Sequence, residues 1–355
     1  MTIGDVARAA GVSRSTVSYA LSGKRTISGE TRGRIQAAIA RLGFTVHAGA
    51  RALATSQTMV IGLLLQFHED EFPPAMLQYV LPISDTAREL GYDILMVTEA
   101  DGRAALKRIT SSGMVDGVVL LDVTHEDPRL PPLRAAEQPG ALVGLPGDPE
   151  GLDVFDLDFE EAARMLVDHL HRLGHGEVIV VSPPRHVFDR GAAYGWRFRD
   201  AALERGARRG LRMAAHYGES RQPAITRSLH AILDDRPSAT ALIVHNDATI
   251  AALPRVLEER GVRVPDDLSI VSLYSKNFGS FFSLPYTSIE TSPDILGRQA
   301  VQQLVRRIAS PELAGAPITR LVAPELRDRG STARCSPGGA PPAPGRGRGR
   351  GRKTS

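Results

Sequence analysis

Cysteine is almost absent from this chain: Cys335 is the only one among 355 residues, so no intrachain disulfide can form. Long apolar runs are absent as well, since none reaches the ~18 residues that a membrane-spanning helix needs. The N-terminus lacks the apolar stretch of a secretory signal peptide. These absences predict a cytoplasmic protein without a membrane partner.

Motifs of enzymes and of metal sites are missing too. The sequence contains neither a P-loop nor a nucleophile elbow, and the GRGRGRG run at 345–351 lacks the strand and helix that a dinucleotide fingerprint requires. His169 and His171 do not share one helix face, because helical residues two apart point in different directions, and the helix ends at Gly174, before His175. We therefore expect no catalytic residue, no metal site and no cofactor, and we do not expect an enzyme.

The net charge of +3 averages three unlike regions. Residues 1–58 hold eight Lys and Arg against two acidic residues, a net charge of +6, and the segment from Ser331 onward carries another +6 with no acidic residue. The body between them, 59–330, then carries −9. A compact basic head is typical of a phosphate binder, whereas an acidic body is a poor partner for nucleic acid.

The basic head is predicted to fold as three short helices. Thr2, Ser13 and Ser28 are good N-caps, and the helices end at Gly11, Gly23 and Gly43. The second helix lies in the stretch GVSRSTVSYALSG, which has one apolar and one polar face. The apolar face holds Val17, Ala20 and Leu21, and the polar face holds Arg14, Ser15, Ser18 and Tyr19.

Two short helices joined by a tight turn at Gly11 indicate a helix-turn-helix, whose second helix can enter the DNA major groove. Its polar face offers donors, hydroxyls and an aromatic ring, which are groups that contact base edges and phosphates. The third helix closes a very small core with Ile35, Ala38, Ile39 and Leu42. The alternative interpretation is an ordinary helical hairpin with a solvated face.

These segments resemble a known family. TIGDVARAAGVSRSTVSYALSG, ISGETRGRIQAAIARLGF and HAGARALATSQTMVIGLLL are similar to the N-terminus of lactose-repressor-type (LacI/GalR) transcription regulators. The resemblance extends from residue 2 to about 332, where PELRDRGST is the last landmark. It implies a homodimeric repressor that binds pseudo-palindromic double-stranded operator DNA and responds to a small-molecule effector.

The resemblance also implies roles for single residues of the head. Arg14, Ser15 and Tyr19 match positions that read bases in the major groove. Thr16 and Ser18 match positions that touch phosphates. We also expect Thr2 and Lys24 to belong to the DNA-binding set.

A hinge at 47–57 is expected to join the head, residues 1–46, to the body. Its segment 47–55 matches a stretch that in this family becomes helical only when two copies meet on DNA. Leu53 then matches the leucine that wedges into the minor groove, and His47 and Arg51 are further DNA contacts. Gly49 replaces a large apolar residue, and Gly inside a helix costs ~1 kcal/mol, so this hinge should order less readily. The alternative is a simple flexible linker.

From Met59 onward, short apolar strands alternate with helices. Strands are predicted at Val60–Leu65, Ile94–Val97, Val118–Leu121, Leu142–Gly144, Val178–Val181, Leu242–His245 and Ser269–Leu273. Helices are predicted near 76–90, 103–112, 159–173, 192–206, 224–234 and 247–260. Such strands indicate parallel sheets covered on both faces, and the run is too long for one sheet. The expected fold class is α/β, with two doubly wound lobes behind the helical head.

The resemblance implies the periplasmic-binding-protein architecture, with three chain crossings and a ligand in the cleft between the lobes. The effector-binding and dimerisation body is expected at 58–332. Lobe 1 is expected at about 58–158 and 288–317, and lobe 2 at about 159–287 and 318–332. The remainder, 333–355, should be disordered. Its Arg-Gly repeat either attracts nucleic acid non-specifically or is a neutral extension.

The cleft departs from the family pattern. Asn246 and Asp247 match a motif that reaches the ligand, although a strand-end Asp that caps a helix is the competing interpretation. Ala192 stands where the family has an Arg, for which Arg190 can compensate. The family's Gly-Phe-Asp-Asp is replaced by SLYS at 272–275. The loss of these charged groups argues against a typical hexose effector.

Aromatic side chains are expected to line the cleft instead. The candidates are Phe67, Phe72, Tyr274, Phe281 and Phe282. Such a pocket would stack a ring or hold an apolar ligand, whose identity the sequence does not give. The alternative is that these rings belong to the lobe cores, which would favour a DNA-binding architectural protein with an unresponsive cleft. A ligand-binding protein without gene control is a further alternative, but it would leave the basic head unused.

Overall fold

The structure is a computed structural model that describes residues 1–22, 25–43, 57–68, 73–274, 278–279, 285–313 and 315–335. Several residues with expected roles lie outside these ranges, namely Lys24, His47, Arg51, Leu53, Phe72, Phe281 and Phe282. Most of the expected hinge, the end of the second helix at Gly23 and residues 336–355 lie outside them as well. The interpretations that concern these residues stay predictions.

The head contains three helices, as the capping pattern predicts. They are α1 (Ile3–Ala10), α2 (Arg14–Ser22) and α3 (Gly29–Leu42). The backbone amide of Thr16 donates to Ser13 Oγ at 3.0 Å, and that of Thr31 donates to Ser28 Oγ at 3.3 Å. Gly11 ends α1 with a φ of 64°, a left-handed conformation that glycine adopts without strain.

A small apolar core holds these helices together. Its buried side chains are Val6, Ala7, Ala10, Val17, Ile35 and Ala38. Each buried Val or Ile contributes about 1.5–3 kcal/mol, so only a few residues carry the stability of the head. A core of this size makes a marginally stable domain, and α2 keeps its polar face outside it.

The body contains twelve strands and nine helices within the described ranges. The strands are β1 (Val60–Leu64), β2 (Asp93–Val97), β3 (Gly117–Leu120), β4 (Gly140–Val143), β5 (Asp153–Leu157), β6 (Glu177–Ser182), β7 (Arg212–Tyr217), β8 (Ala241–Val244), β9 (Ser269–Leu273), β10 (Thr287–Ile289), β11 (Thr319–Val322) and β12 (Leu326–Arg327). The helices are α4 (Pro73–Glu89), α5 (Gly102–Ser111), α6 (Leu130–Arg134), α7 (Phe159–Arg172), α8 (Arg185–Asp189), α9 (Ala193–Arg208), α10 (Ala224–Asp235), α11 (Asp247–Arg260) and α12 (Pro293–Ala309). A short 3₁₀ helix covers Pro311–Leu313.

The strands form two six-stranded sheets, one in each lobe. Their orders are β11-β5-β4-β3-β1-β2 and β12-β10-β9-β8-β6-β7. All neighbours are parallel except β10 and β12. The strand order reverses between β1 and β3 in the first sheet and between β6 and β8 in the second, so each lobe has a switch point at which the carboxyl ends of its strands can hold a ligand.

Helices cover both faces of each sheet, which is why most central strands are fully buried and read as continuous apolar runs. In the second lobe, α7 packs Ala162, Leu166 and Leu170 against the sheet. In the first lobe, α12 buries Leu296, Ala300 and Leu304. The predicted α/β class with two doubly wound lobes is confirmed.

The expected boundaries need three corrections. Residues 287–289 pair with β9 in the second sheet, so the second crossing lies after Ile289 and not at 288. Residues 319–322 pair with β5 in the first sheet, so the last crossing lies after Val322 and not at 318. The disordered tail was expected to begin at 333, but the amide of Ala333 donates to Ser269 Oγ at 3.0 Å and that of Cys335 donates to the Leu173 carbonyl at 2.8 Å. These hydrogen bonds attach residues 333–335 to the second lobe.

Candidate functional site

The polar face of α2 is open to solvent. Arg14, Ser15 and Tyr19 are exposed, with Tyr19 at 37% of its surface, while Val17 on the opposite face is fully buried. Ser18 is partly exposed. The faces therefore lie as the sequence periodicity predicts, and the side chains expected to read bases are free of the head core.

The hydroxyl groups at the start of α2 form one cluster. Ser13 Oγ lies 2.7 Å from Ser15 Oγ and 2.8 Å from Thr16 Oγ1. Together with the helix N-terminus, this cluster can donate to a phosphate oxygen. Thr2 has a structural part as well, since both its amide and its hydroxyl donate to Asp5 Oδ2 at 2.9 Å and so fix the start of α1.

Two further residues of the head were not found from the sequence. A Cβ built on Gly4 would lie 2.8 Å from Nε and Nη2 of Arg14, so the absence of a side chain at Gly4 lets the Arg14 guanidinium pack against α1. The guanidinium carbon of Arg25 lies 5.9 Å from the centre of the Tyr19 ring, within the range of a cation–π contact. The sequence pattern that could have predicted this contact is an Arg that follows closely after a helix with an exposed Tyr.

A cavity of about 240 Å³ lies between the two lobes, at the carboxyl ends of their strands. Lobe 1 contributes residues that follow β1, β3 and β4, together with Asp156 near the end of β5. Lobe 2 contributes residues that follow β6, β8 and β9. The cavity therefore occupies the place that the switch points of both sheets predict for a ligand.

Asp122, directly beyond β3, links three parts of the cleft. Its Oδ2 lies 3.0 Å from His68 Nε2, and its Oδ1 accepts from Arg190 Nη2 at 2.9 Å. Its backbone φ is 51°, a left-handed conformation that is uncommon for residues other than Gly. Burial raises its pKa, but the hydrogen bond from His68 and the charge of Arg190 outweigh burial and hold the pKa below its usual value.

A second ion pair joins the lobes beside the cavity. Arg197 of α9 donates from Nη1 to Asp156 Oδ2 at 3.0 Å, and the amide of Leu145 donates to the same oxygen at 3.0 Å. Burial nevertheless raises the pKa of Asp156 to about 6, against the lowering effect of Arg197. Asp156 lies next to the end of β5, a strand that was not predicted from the sequence, so no sequence pattern pointed to this site.

The HND motif, His245 to Asp247, contains three residues with different roles. Asn246 caps α11, because its Oδ1 accepts from the Thr249 amide at 2.8 Å, so the interpretation of Asp247 as the capping residue was wrong. Asp247 lines the cavity, where burial raises its pKa to about 7. His245 packs between Phe159 and Phe198, and burial lowers its pKa to about 3, which keeps the imidazole neutral.

The expected aromatic residues occupy different positions. Phe67 lines the cavity and is 43% exposed. Tyr274 touches the cavity but belongs to the core of lobe 2, since its ring is buried and its hydroxyl donates to the Tyr286 carbonyl at 2.9 Å. Tyr79 and Tyr194 also line the cavity, and neither was predicted from the sequence.

Two of the three histidines between residues 169 and 175 have separate structural partners. His169 Nε2 lies 2.9 Å from Thr332 Oγ1, and His175 Nδ1 lies 2.9 Å from Thr240 Oγ1. Across the described ranges, His, Cys, Asp and Glu nowhere form a group of three that could hold a metal ion. Within the same ranges, no helix has the length and apolar character to cross a membrane.

Two family patterns match the chain. The pattern described as bacterial regulatory proteins of the lacI family covers residues 2–46, which contain the three helices of the head. The pattern of a periplasmic binding protein-like domain covers residues 167–332, which include most of lobe 2. The two matches follow the division between head and body.

Curated relatives match nearly the whole chain. The HTH-type transcriptional regulator CelR of Thermobifida fusca is 28% identical over 316 residues, which is 86% of this chain and 92% of that protein. The ribose operon repressor of Escherichia coli K12 is 28% identical over 345 residues, or 93% of this chain and 99% of that protein.

A solved structure supports the same fold. The lac repressor dimer bound to operator and the anti-inducer ONPF superposes with a TM-score of 0.78 at 23% identity, covering 94% of this chain and 99% of the other. The lacI-type head, the periplasmic-binding-protein-like body and the full-length relatives agree: residues 2–46 match the lacI family, and the chain is similar over most of its length to bacterial transcriptional regulators of this type.

Proposed function

We propose that this regulator is a homodimeric repressor that binds a pseudo-palindromic operator and is controlled by a small molecule in the interlobe cleft. The exposed polar face of α2 carries this proposal, because Arg14, Ser15 and Tyr19 stand on an N-terminal segment, residues 1–58, of net charge +6. A basic recognition helix of this kind gains affinity from phosphates and specificity from base edges. The regulator acts in the cytoplasm, where its DNA lies, and it is not an enzyme.

Each residue of the head has a proposed part. Arg14 and Tyr19 read bases, and Ser15 adds a base contact from the start of α2. Thr16, Ser18, Thr2 and Lys24 contact phosphates, with Thr2 acting also as the cap of α1. His47, Arg51 and Leu53 form the proposed hinge contacts, with Leu53 inserted between base steps in the minor groove. Two-fold symmetry of the dimer would then be mirrored in the operator.

An exposed apolar surface supports the dimer. Leu77 and Leu81 on α4 are 45% and 63% exposed, and α4 packs beside α12, on which Ile295 is also exposed. Exposed leucines one helical turn apart are costly in water and are best covered by an apolar partner surface. We assign a second copy of the chain to this surface, because two heads are needed to read two half-sites.

The cleft is the proposed effector site. Phe67, Arg190, Asn246, Asp247 and Tyr274 all line it, and Phe72 is proposed to join them. Most of the lining is apolar or aromatic, so the effector is not a simple hexose. A second candidate is a cleft that no longer responds to a ligand, which is favoured by the ion pairs of Asp122 and Asp156 that already join the two lobes.

A reporter assay tests the repressor directly. A duplex selected by the full chain is placed between a promoter and a reporter gene in a bacterial host. We expect the full chain to lower reporter expression and Arg14→Ala to restore it. Arg34→Ala, which changes an exposed arginine of α3, should still repress. Unchanged reporter expression with the full chain would refute the proposed repressor function. Increased expression would show that the protein is an activator.

A further inference from the structure

The charges around the cleft are not balanced. Three carboxylates line the cavity, those of Asp122, Asp156 and Asp247. Asp122 is paired with Arg190, and Asp156 is paired with Arg197. No hydrogen bond or ion pair reaches Asp247 from any residue in the described part of the chain. Asp247 is therefore the one carboxylate of these three that can pair with a group of a bound ligand.

The groups around Asp247 do not compensate its charge. His245 is buried between aromatic rings, and its low pKa keeps it neutral. The nearby amide of Thr249 is already bound by Asn246. On the facing helix α4, burial together with the negative charges of Asp156 and Asp247 raises the pKa of Tyr79. An unpaired carboxylate in such surroundings is unfavourable until a donor or a cation arrives.

The rest of the cavity wall is mainly hydrocarbon and aromatic. Phe67, Tyr79 and Tyr194 supply rings, and Met76, Val143 and Leu273 supply apolar surface. A polyol needs polar partners on every side, and the two best acceptors, Asp122 and Asp156, are already bonded to arginines. The lining fits a mainly apolar body with one concentrated positive charge.

We propose that the cleft binds an organic amine, whose protonated nitrogen donates to the Asp247 carboxylate while its apolar or aromatic body packs on the rings of Phe67, Tyr79 and Tyr194. The ammonium–carboxylate hydrogen bond is charge-assisted, and aromatic faces also attract cations. This inference rests on the proposed function, because it names the chemical class of the effector for the same cleft. Binding also requires Asp247 to be ionised, so it releases a proton whenever that carboxyl is protonated beforehand.

Calorimetry and thermal unfolding of the full chain test the proposal with matched probes. The probes are benzylamine and phenethylamine, their neutral counterparts benzyl alcohol and phenethyl alcohol, and the neutral compounds glucose, ribose and adenosine. We expect the amines to bind more tightly than the alcohols by at least about tenfold. Asp247→Asn should remove this preference, while Asp85→Asn, which changes an exposed carboxylate on α4, should leave it intact.

Proton release separates an ionic role of Asp247 from a purely structural one. Calorimetry in two buffers of different ionisation enthalpy should show proton release on amine binding to the wild-type chain and less release in Asp247→Asn. Binding of neutral compounds without any amine preference would overturn the inference and leave the effector function standing. If no probe of either class binds, the amine inference is overturned. DNA binding is then measured with and without a metabolite pool, and unchanged DNA binding would overturn the effector function as well.

Discussion

Arg190 donates from Nη2 to Asp122 Oδ1 across 2.9 Å, and the two residues belong to different lobes. Beside them, the amide of His125 donates to the Gly191 carbonyl at 2.8 Å, again from lobe 1 to lobe 2. Arg197 and Asp156 form a third link. The lobes of this regulator are therefore joined by the chain's own residues, and an effector would act on a cleft that is already bridged.

Removing the carboxylate of Asp122 should loosen this bridge. We expect Asp122→Asn to lower the free energy of unfolding of the body by about 1–3 kcal/mol, because the substitution weakens two hydrogen bonds of a buried charge. Trp196 is the only tryptophan, and its ring lies 5.7 Å from that of His125 across the lobe junction, so its fluorescence should change as well. Asp85→Asn, at an exposed ion pair with Arg88, is the matched control. Identical fluorescence and stability in Asp122→Asn and wild type would contradict the bridge.

Base recognition should depend on Arg14 and Tyr19. We expect each change to Ala to cost about 1–3 kcal/mol on the preferred operator, because each side chain is exposed and is proposed to contact base edges. Non-specific binding should stay nearly unchanged. Fluorescence anisotropy with specific and scrambled duplexes measures the difference, and Arg34→Ala serves as the control. An equal loss on both duplexes would show that these residues contact only phosphates.

The stability of the body should depend on pH through Asp247. Its carboxyl has a pKa of 3.8 in the unfolded chain and about 7 in the fold, so ionisation opposes folding. Stability is therefore lost as pH rises from the lower value through the higher one. Asp247→Asn should raise the free energy of unfolding by about 1–3 kcal/mol above the folded pKa, and by little below the unfolded pKa.

Thermal unfolding across this pH range measures the gain from Asp247→Asn. Asp156 also has a raised pKa and remains in both proteins, so the difference between variant and wild type isolates Asp247. A gain that does not change with pH would refute the account of a partly buried, unpaired carboxylate at Asp247.

The surface of α4 should hold two copies together. We expect Leu81→Glu to produce monomers in analytical ultracentrifugation, because a charge replaces the most exposed leucine of the proposed interface. The monomer should keep its secondary structure, since Leu81 is not part of a lobe core. Met114→Glu changes an exposed apolar side chain outside α4 and α12 and should leave the dimer intact. A Leu81→Glu dimer of unchanged stability would place the interface elsewhere.

Apolar runs and caps were sufficient to predict much of the fold. All seven predicted strands exist, because buried parallel strands such as β6 and β8 are continuously apolar. Strand β5 was missed because its sequence DVFDL includes two acids, which are buried only because Arg307 pairs with Asp153 and Arg197 pairs with Asp156. Strand β7 is a partly exposed edge strand of mixed polarity, so its pattern is weak.

The cleft could be predicted only in part. The HND motif located Asn246 and Asp247, but which of them caps α11 depends on the backbone geometry at the strand end. Asp122 and Asp156 gave no motif, since their importance comes from arginines that are distant in sequence and belong to the other lobe. Charge pairs across lobes require the tertiary fold before they can be recognised.

Selection of random duplex DNA by the purified full-length chain tests the central claim most directly. We expect enrichment of one pseudo-palindrome with a pyrimidine–purine step at its centre, because two symmetric heads and a pair of Leu53 side chains would require such a site. Arg14→Ala should weaken the enrichment at matched positions in both half-sites. Enrichment of no sequence, or of a single half-site without symmetry, would contradict the account of a dimeric, sequence-specific repressor.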